Sequence, residues 1–218
     1  EEVRTRYGGT RLGEQELEGR LLEDVDGALW TSAMLEAAAE VMPDSYSRIV
    51  VAVDPPVSGK ATSDECGIVV LGVNTDGPPR DWRAVVLEDA SVRGSSNVWG
   101  AAAVEAYHRH GADRMVAEVN QGGDLVRDAI KRHDELVAYK AVHATKDKKT
   151  RAEPVAALYE QGRIGHVRGL QVLEAQMCLM TSRGFEGKGS PDRVDALVWA
   201  VHEAMIEPAR VWSGRPQM

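Results

Sequence analysis

The order of apolar segments predicts an α/β fold built on a mixed five-stranded sheet with helices on its faces. Three observations lead there. Short β-branched runs at 49–53 (IVVAV), 67–73 (GIVVLGV) and 82–87 (WRAVVL) follow one another with only Pro-, Gly-, Ser- and Asp-rich connections, the pattern of antiparallel hairpins. Beyond them, helical and strand-like stretches alternate, which makes the later strands parallel additions. The 218 residues suffice for one such domain and a modest appendage.

Residues 1–47 read as an acidic, helical linker or subdomain leading into the main fold at 48–218. Stretches 13–23 (GEQELEGRLLE) and 32–42 (SAMLEAAAEVM) have helical composition, are separated at Asp26-Gly27, and end at Pro43-Asp44-Ser45. The run at 49–53 is apolar at every position, as in a strand covered on both faces. After the third strand come a helix at 97–110, a strand at 114–119 (RMVAEV), a helix at 124–133 and a strand at 136–142. Further helices follow at 153–161, 170–180 and 192–206. No internal repeat or low-complexity segment interrupts this order.

Composition narrows the function classes. No apolar run approaches the roughly 20 residues that span a bilayer, and the N-terminal residues lack a signal-peptide pattern, so a soluble cytoplasmic protein is expected. Cys66 and Cys178 make no metal-binding spacing and read as two packed, reduced thiols. A net charge of −8 argues at first against a nucleic-acid partner. Residues 1–48, however, hold eleven acids and five bases, which is −6 of that total, whereas 140–151 hold five bases and one acid. A local basic patch can steer DNA on an acidic protein.

The chemistry lies in carboxylates placed at element ends. Asp54 closes the first strand (VAVDPP), Glu118 closes the fourth (VAEVNQGGD), and Asp192 opens the last long helix with Asp195 one turn later (SPDRVDALVWA). Each alone has a plain reading: Asp54 as a turn former before Pro55-Pro56, Asp192 as a helix-start acid, Asp195 as a solvated helix residue. Together they read as a metal site, because carboxylates at the ends of buried strands need a cation to neutralise them. Oxygen donors with no Cys or His nearby favour Mg²⁺ or Mn²⁺ over zinc. Two such ions can activate water and stabilise the leaving oxygen of a phosphodiester.

The phrases VAVDPP, DECGIVVLG, AEVNQGGD, KDKKTRAEPVAALYEQGRI and SPDRVDALVWAVHE resemble, in this order, the nuclease domains of phage and gene-transfer-agent terminase large subunits. The resemblance runs from about Arg48 to Glu207 and reaches back more weakly through RYGGTRLGEQELEG and GALWT. It implies an RNase H-like fold of the RuvC-like superfamily, with an acidic triad at Asp54, Glu118 and Asp192 and with Asp195 as a fourth acid. It also implies a two-metal-ion DNA endonuclease acting on double-stranded DNA, with the motor ATPase domain, the small terminase subunit and the portal as neighbours. A resolvase or transposase core, and a non-catalytic docking module, are the alternatives.

The ATPase of full-length relatives has no counterpart in these residues. Residues 57–62 (VSGKAT) imitate the end of a phosphate-binding loop, but Asp54 stands where its first glycine belongs and Ala61 where Ser or Thr is required. No ATP site is expected. Lys146, Lys148, Lys149 and Arg151 form either a solvated loop or a phosphate clamp that positions DNA without reading bases. Asn120-Gln121-Gly122-Gly123 reads first as a tight turn and second as a main-chain phosphate contact. His143 is expected at the surface, and Trp99 and Trp199 in the core.

Overall fold

The computed structural model describes residues 24–56, 65–119 and 123–213. The helix expected at 13–23, the loop-like motif at 57–62 and residues 120–122 lie outside the described residues. Helix α1 (Ser32–Ala38) precedes strands β1 (Arg48–Asp54), β2 (Glu65–Asn74), β3 (Arg83–Asp89) and β4 (Val92–Arg93). Then come α2 (Ser96–Arg109), β5 (Arg114–Glu118), α3 (Gly123–Lys131) and β6 (Tyr139–Val142). Next are α4 (Lys148–Glu160), β7 (Ile164–His166), α5 (Gln171–Met177) and the hairpin β8 (Met180–Thr181) and β9 (Gly184–Phe185). The chain continues through α6 (Asp192–Val201), a π-helical turn (His202–Ile206) and α7 (Glu207–Ser213).

The expected mixed sheet is present, in the order β6-β5-β1-β2-β3-β7, with β4 pairing to β2. Strand β2 pairs antiparallel with β1 on one side and β3 on the other, while β5, β6 and β7 add in parallel. Among the described residues the sheet therefore has seven strands where five were expected. The two additions are only three and two residues long, too short to show a period of two in sequence. The helix expected at 192–206 turns π-helical at His202. That at 170–180 stops at Met177, because Met180 enters the small hairpin.

Strand periodicity divides the core into two layers. Val50 and Ala52 of β1 join Val69, Leu71 and Val73 of β2 and Val116 of β5 in the layer beneath α4, α5 and α6. The alternate residues Val51, Val53, Ile68, Val70, Met115 and Ala117 join the layer beneath α2 and α3. Since side chains alternate between faces, Asp54, Gly67 and Glu118 fall on the α6 side.

Residues 24–47 pack against this body. Trp30 is fully buried, with its ring edge-on to Tyr159 at 6.1 Å. Thr31 caps α1 by accepting from the Met34 N–H at 3.2 Å, and Asp24 accepts from both the N–H and the hydroxyl of Ser32. Gly165 of β7 makes room for the incoming segment: a Cβ there would meet the Val41 carbonyl oxygen at 1.8 Å.

Candidate active site

Parallel pairing of β1 with β5 matches Val53 to Ala117, so Asp54 and Glu118 are the next residues of adjacent strands, at the same edge and on the same face. On its other side Asp54 is in register with Gly67 of β2. That glycine admits the start of α6, since a Cβ at position 67 would lie 1.9 Å from the Asp192 carbonyl oxygen. Asp192, Asp195 and Trp199 recur at helical spacing along α6 and share a face. The Trp199 indole N–H donates to Glu118 Oε2 at 2.6 Å, so this face is turned toward the carboxylates. Gly67→Ala is expected to push the α6 start off the sheet, costing about 1–3 kcal/mol through overpacking and lowering activity. Thermal melting and a cleavage assay on the same preparation check both effects.

The opposing charges come from α4. Asp147 caps that helix by accepting from the Thr150 N–H at 2.8 Å, which starts it at Lys148 rather than near 153. Lys148 and Arg151, three residues apart, then project together into the acids. The Lys148 ammonium donates to Asp195 Oδ2 and to the Ser190 hydroxyl at 3.0 Å. Arg151 donates to Glu118 Oε2 at 3.1 Å and lies 3.6 Å from Asp195 Oδ1, with its guanidinium 4.6 Å from the Trp199 ring centroid. Asp195 is 2 % exposed and Arg151 6 %, so the pair is shielded from solvent screening.

These cations do not offset the carboxylates fully. Burial, then Asp195, Glu118 and Asp192, raise the Asp54 carboxyl well above its ordinary pKa, with Lys148 opposing them. Burial also raises Asp195, although Lys148 and Arg151 pull the other way. Burial disfavours the charge on Lys148, but Asp195, Asp54 and Asp192 outweigh it and hold the ammonium above its usual value. The edge is short of positive charge around Asp54.

Residues 51–204 match the family model described as the terminase RNaseH-like domain. The chain belongs to this family. No curated protein matches it at a significant level. Among solved structures, a mutant nuclease domain of the large terminase subunit gp2 of bacterial virus Sf6 with manganese aligns at TM-score 0.57 and 16 % identity, covering 80 % of this chain and 99 % of that one. The large terminase nuclease from thermophilic phage G20c aligns at 0.53 and 15 %, covering 79 % and 99 %. The human cytomegalovirus terminase nuclease domain aligns at 0.54 and 13 %, covering 79 % and 93 %.

In this terminase RNaseH-like domain, the four acids singled out in sequence converge on one sheet edge, and the four basic residues divide. Lys148 and Arg151 enter the acidic cluster, and Arg151 is too buried to serve as a solvent-facing clamp. Lys149 pairs with Glu153 at 3.7 Å on the outer face of α4, and Lys146 and His143 are exposed. Cys66 and Cys178 are free and buried. Burial, with Asp54, Asp192 and Glu65 beside it, holds the Cys66 thiol well above its ordinary pKa. Trp99 lies in the core at 5 % exposure. Trp199, expected there too, also holds Glu118. A cavity of about 320 Å³ lies between α1 and α5, lined by His166, Glu174 and Cys178 among others, and contains none of the four acids.

Among the described residues, no three His, Cys, Asp or Glu side chains are grouped so as to hold an ion as they stand. Lys148 and Arg151 engage oxygens of Asp195 and Glu118. The donor chemistry nevertheless suits a hard divalent cation: oxygen donors, a surplus of negative charge, and an Asp54 carboxyl that burial and then neighbouring carboxylates push toward its neutral form. Among the described residues, no helix is long and apolar enough to cross a membrane.

Proposed function

We propose that this chain is a divalent-metal-dependent endonuclease that cuts double-stranded DNA with little regard to sequence when packaging of a viral or gene-transfer-agent genome starts and ends. The observation that carries this reading is the meeting of Asp54, Glu118, Asp192 and Asp195 at one sheet edge in a terminase RNaseH-like domain. The relatives described as terminase nucleases support the reaction class, and the manganese in the Sf6 structure supports the choice of ion.

Asp54, Glu118 and Asp192 would hold the metal, with Asp195 beside them. When bound, two Mg²⁺ or Mn²⁺ ions supply Lewis acidity at the phosphodiester and lower the pKa of a bound water. The chain itself supplies orientation. Trp199 and Arg151 fix Glu118 Oε2, Lys148 fixes Asp195, and the two cations offset part of the acids' negative charge. Hydrolysis then needs no covalent enzyme intermediate.

Lys146 and Lys149, outside the acidic cluster, are the proposed phosphate contacts. Replacing both with Ala is expected to weaken DNA binding across sequences and to reduce the slope of log affinity against log salt by about 1 per lost contact. Fluorescence anisotropy on a short duplex, repeated over a salt series, measures both effects. In the cell this domain would act in the host cytoplasm during particle assembly, beside the motor ATPase domain, the small terminase subunit and the portal. The packing of Trp30 and α1 against the body of the domain supports counting the segment before β1 with the nuclease unit.

Plasmid cleavage tests the reaction. Nicking and linearisation that require Mg²⁺ or Mn²⁺, stop in EDTA and are absent in Asp192→Asn are the expected result. Cleavage that persists in EDTA or in the variant contradicts it. A chain that neither cuts DNA nor binds metal favours the docking-module alternative.

A further inference from the structure

Asp192 stands at a helix start that lacks a side-chain cap of its own: it is the first residue of α6, directly after Pro191. The early N–H groups of a helix lack intrahelical partners and are normally satisfied by such a cap. Three contacts from outside the acidic cluster hold this helix start. Gly67 receives the Asp192 backbone. Gln176 of α5 reaches across to accept from the Val194 N–H at 3.0 Å, taking the role of the missing cap.

Arg193 is the third contact and the strongest. Its Nε and Nη2 donate to the two oxygens of Glu65 at 2.9 and 2.8 Å, and its Nη1 donates to Asp89. One side chain thus fastens the residue after Asp192 to the start of β2 and the end of β3. The guanidinium is 13 % exposed, Glu65 18 % and Asp89 6 %, so this planar, two-sided grip lies largely out of water. It has a second consequence. Glu65 lies two residues before Gly67, close enough to act on the Cys66 thiol together with Asp54 and Asp192. Without Arg193, Asp89 would be a buried carboxylate lacking this cation, and Glu65 would be left with the longer pairing to Arg93 at 3.7 Å, beside an edge already short of positive charge.

We infer that Arg193 is a positioning residue of this nuclease, setting Asp192 at the metal edge through Glu65 and Asp89 while neutralising both. The inference rests on the functional reading above. It predicts an effect on metal affinity separate from the effect on folding.

The test is Mn²⁺ titration by calorimetry, well below the melting temperature, on the native chain, Arg193→Lys and Arg193→Gln. A third variant combines Arg193→Gln with Glu65→Gln and Asp89→Asn, so that no buried charge is left unpaired. Arg193→Gln and the triple variant are expected to bind Mn²⁺ about 10- to 100-fold more weakly, the range for groups that orient metal ligands. Arg193→Lys, with charge but no fork, is expected to fall between. Should Arg193→Gln not fold, the triple variant carries the same comparison. A folded triple variant with native Mn²⁺ affinity overturns the inference and leaves Arg193 a structural ion pair. A native chain that binds no Mn²⁺ overturns the functional reading first, and this one with it.

Discussion

Asp54→Asn is expected to abolish metal-dependent cleavage, with a loss of at least about 1,000-fold, while making the metal-free protein more stable. The two effects share one cause. Asp54 is the acid most opposed by its surroundings: burial disfavours its charge, and Asp195, Glu118 and Asp192 add repulsion that Lys148 offsets only in part. An amide of the same shape keeps the packing and removes the charge. Relief of about 1 kcal/mol or more is expected, or roughly 2–4 °C in melting temperature for a domain of this size. The sign with pH follows from the direction of the shift. A carboxyl whose folded pKa lies above its ordinary 3.8 stabilises the fold fully below that ordinary value, and loses this contribution as pH rises through the folded value. The gap in melting temperature between Asp54→Asn and the native chain, both in EDTA, should therefore widen from pH 4 upward. Equal melting curves across that range would mean that the four acids do not repel one another as described.

Arg151→Met is expected to destabilise the fold by about 3–5 kcal/mol, the range for removing one partner of a buried ion pair. Methionine keeps much of the aliphatic stem against Trp199 but leaves Glu118 with the indole N–H and Asp195 with Lys148. Their mutual repulsion then goes less opposed. Because that raises the folded pKa of Asp195 further, the deficit should shrink as the pH is lowered toward the ordinary carboxylate range. Urea unfolding at pH 5 and pH 8 measures this. A variant as stable as the native chain at pH 8 would show that Arg151 carries no charge-balancing role.

Much of the site is legible along the chain because period and burial agree. The runs IVVAV and MVA are apolar at successive positions, so an acid at the end of each must lie at a sheet edge. Parity then puts Asp54 and Glu118 on one face. The start of α6 can be read from Ser190-Pro191-Asp192, and the spacing of Asp192, Asp195 and Trp199 from the helical repeat. What sequence left open depends on contacts between distant segments. Lys148 and Arg151 stand in a charge run like any solvated one. Their separation from Lys149 follows only once Asp147 fixes where α4 begins. Gly67 looks like an ordinary strand glycine until a helix backbone is laid on it. Gln176 and Arg193 have no local pattern at all, since their partners lie 18 and 128 residues away. Strands β4 and β7 escape notice because the edges they complete, not their own composition, make them strands.

Mn²⁺ binding measured by titration calorimetry on the native chain and on Asp54→Asn tests the metal site most directly, even where cleavage in the intact packaging machine is gated by neighbouring domains. Saturable binding to the native chain, weakened at least tenfold in the folded Asp54→Asn variant, is the predicted result. Absence of binding, or equal binding by both proteins, would contradict a divalent-metal site at this sheet edge.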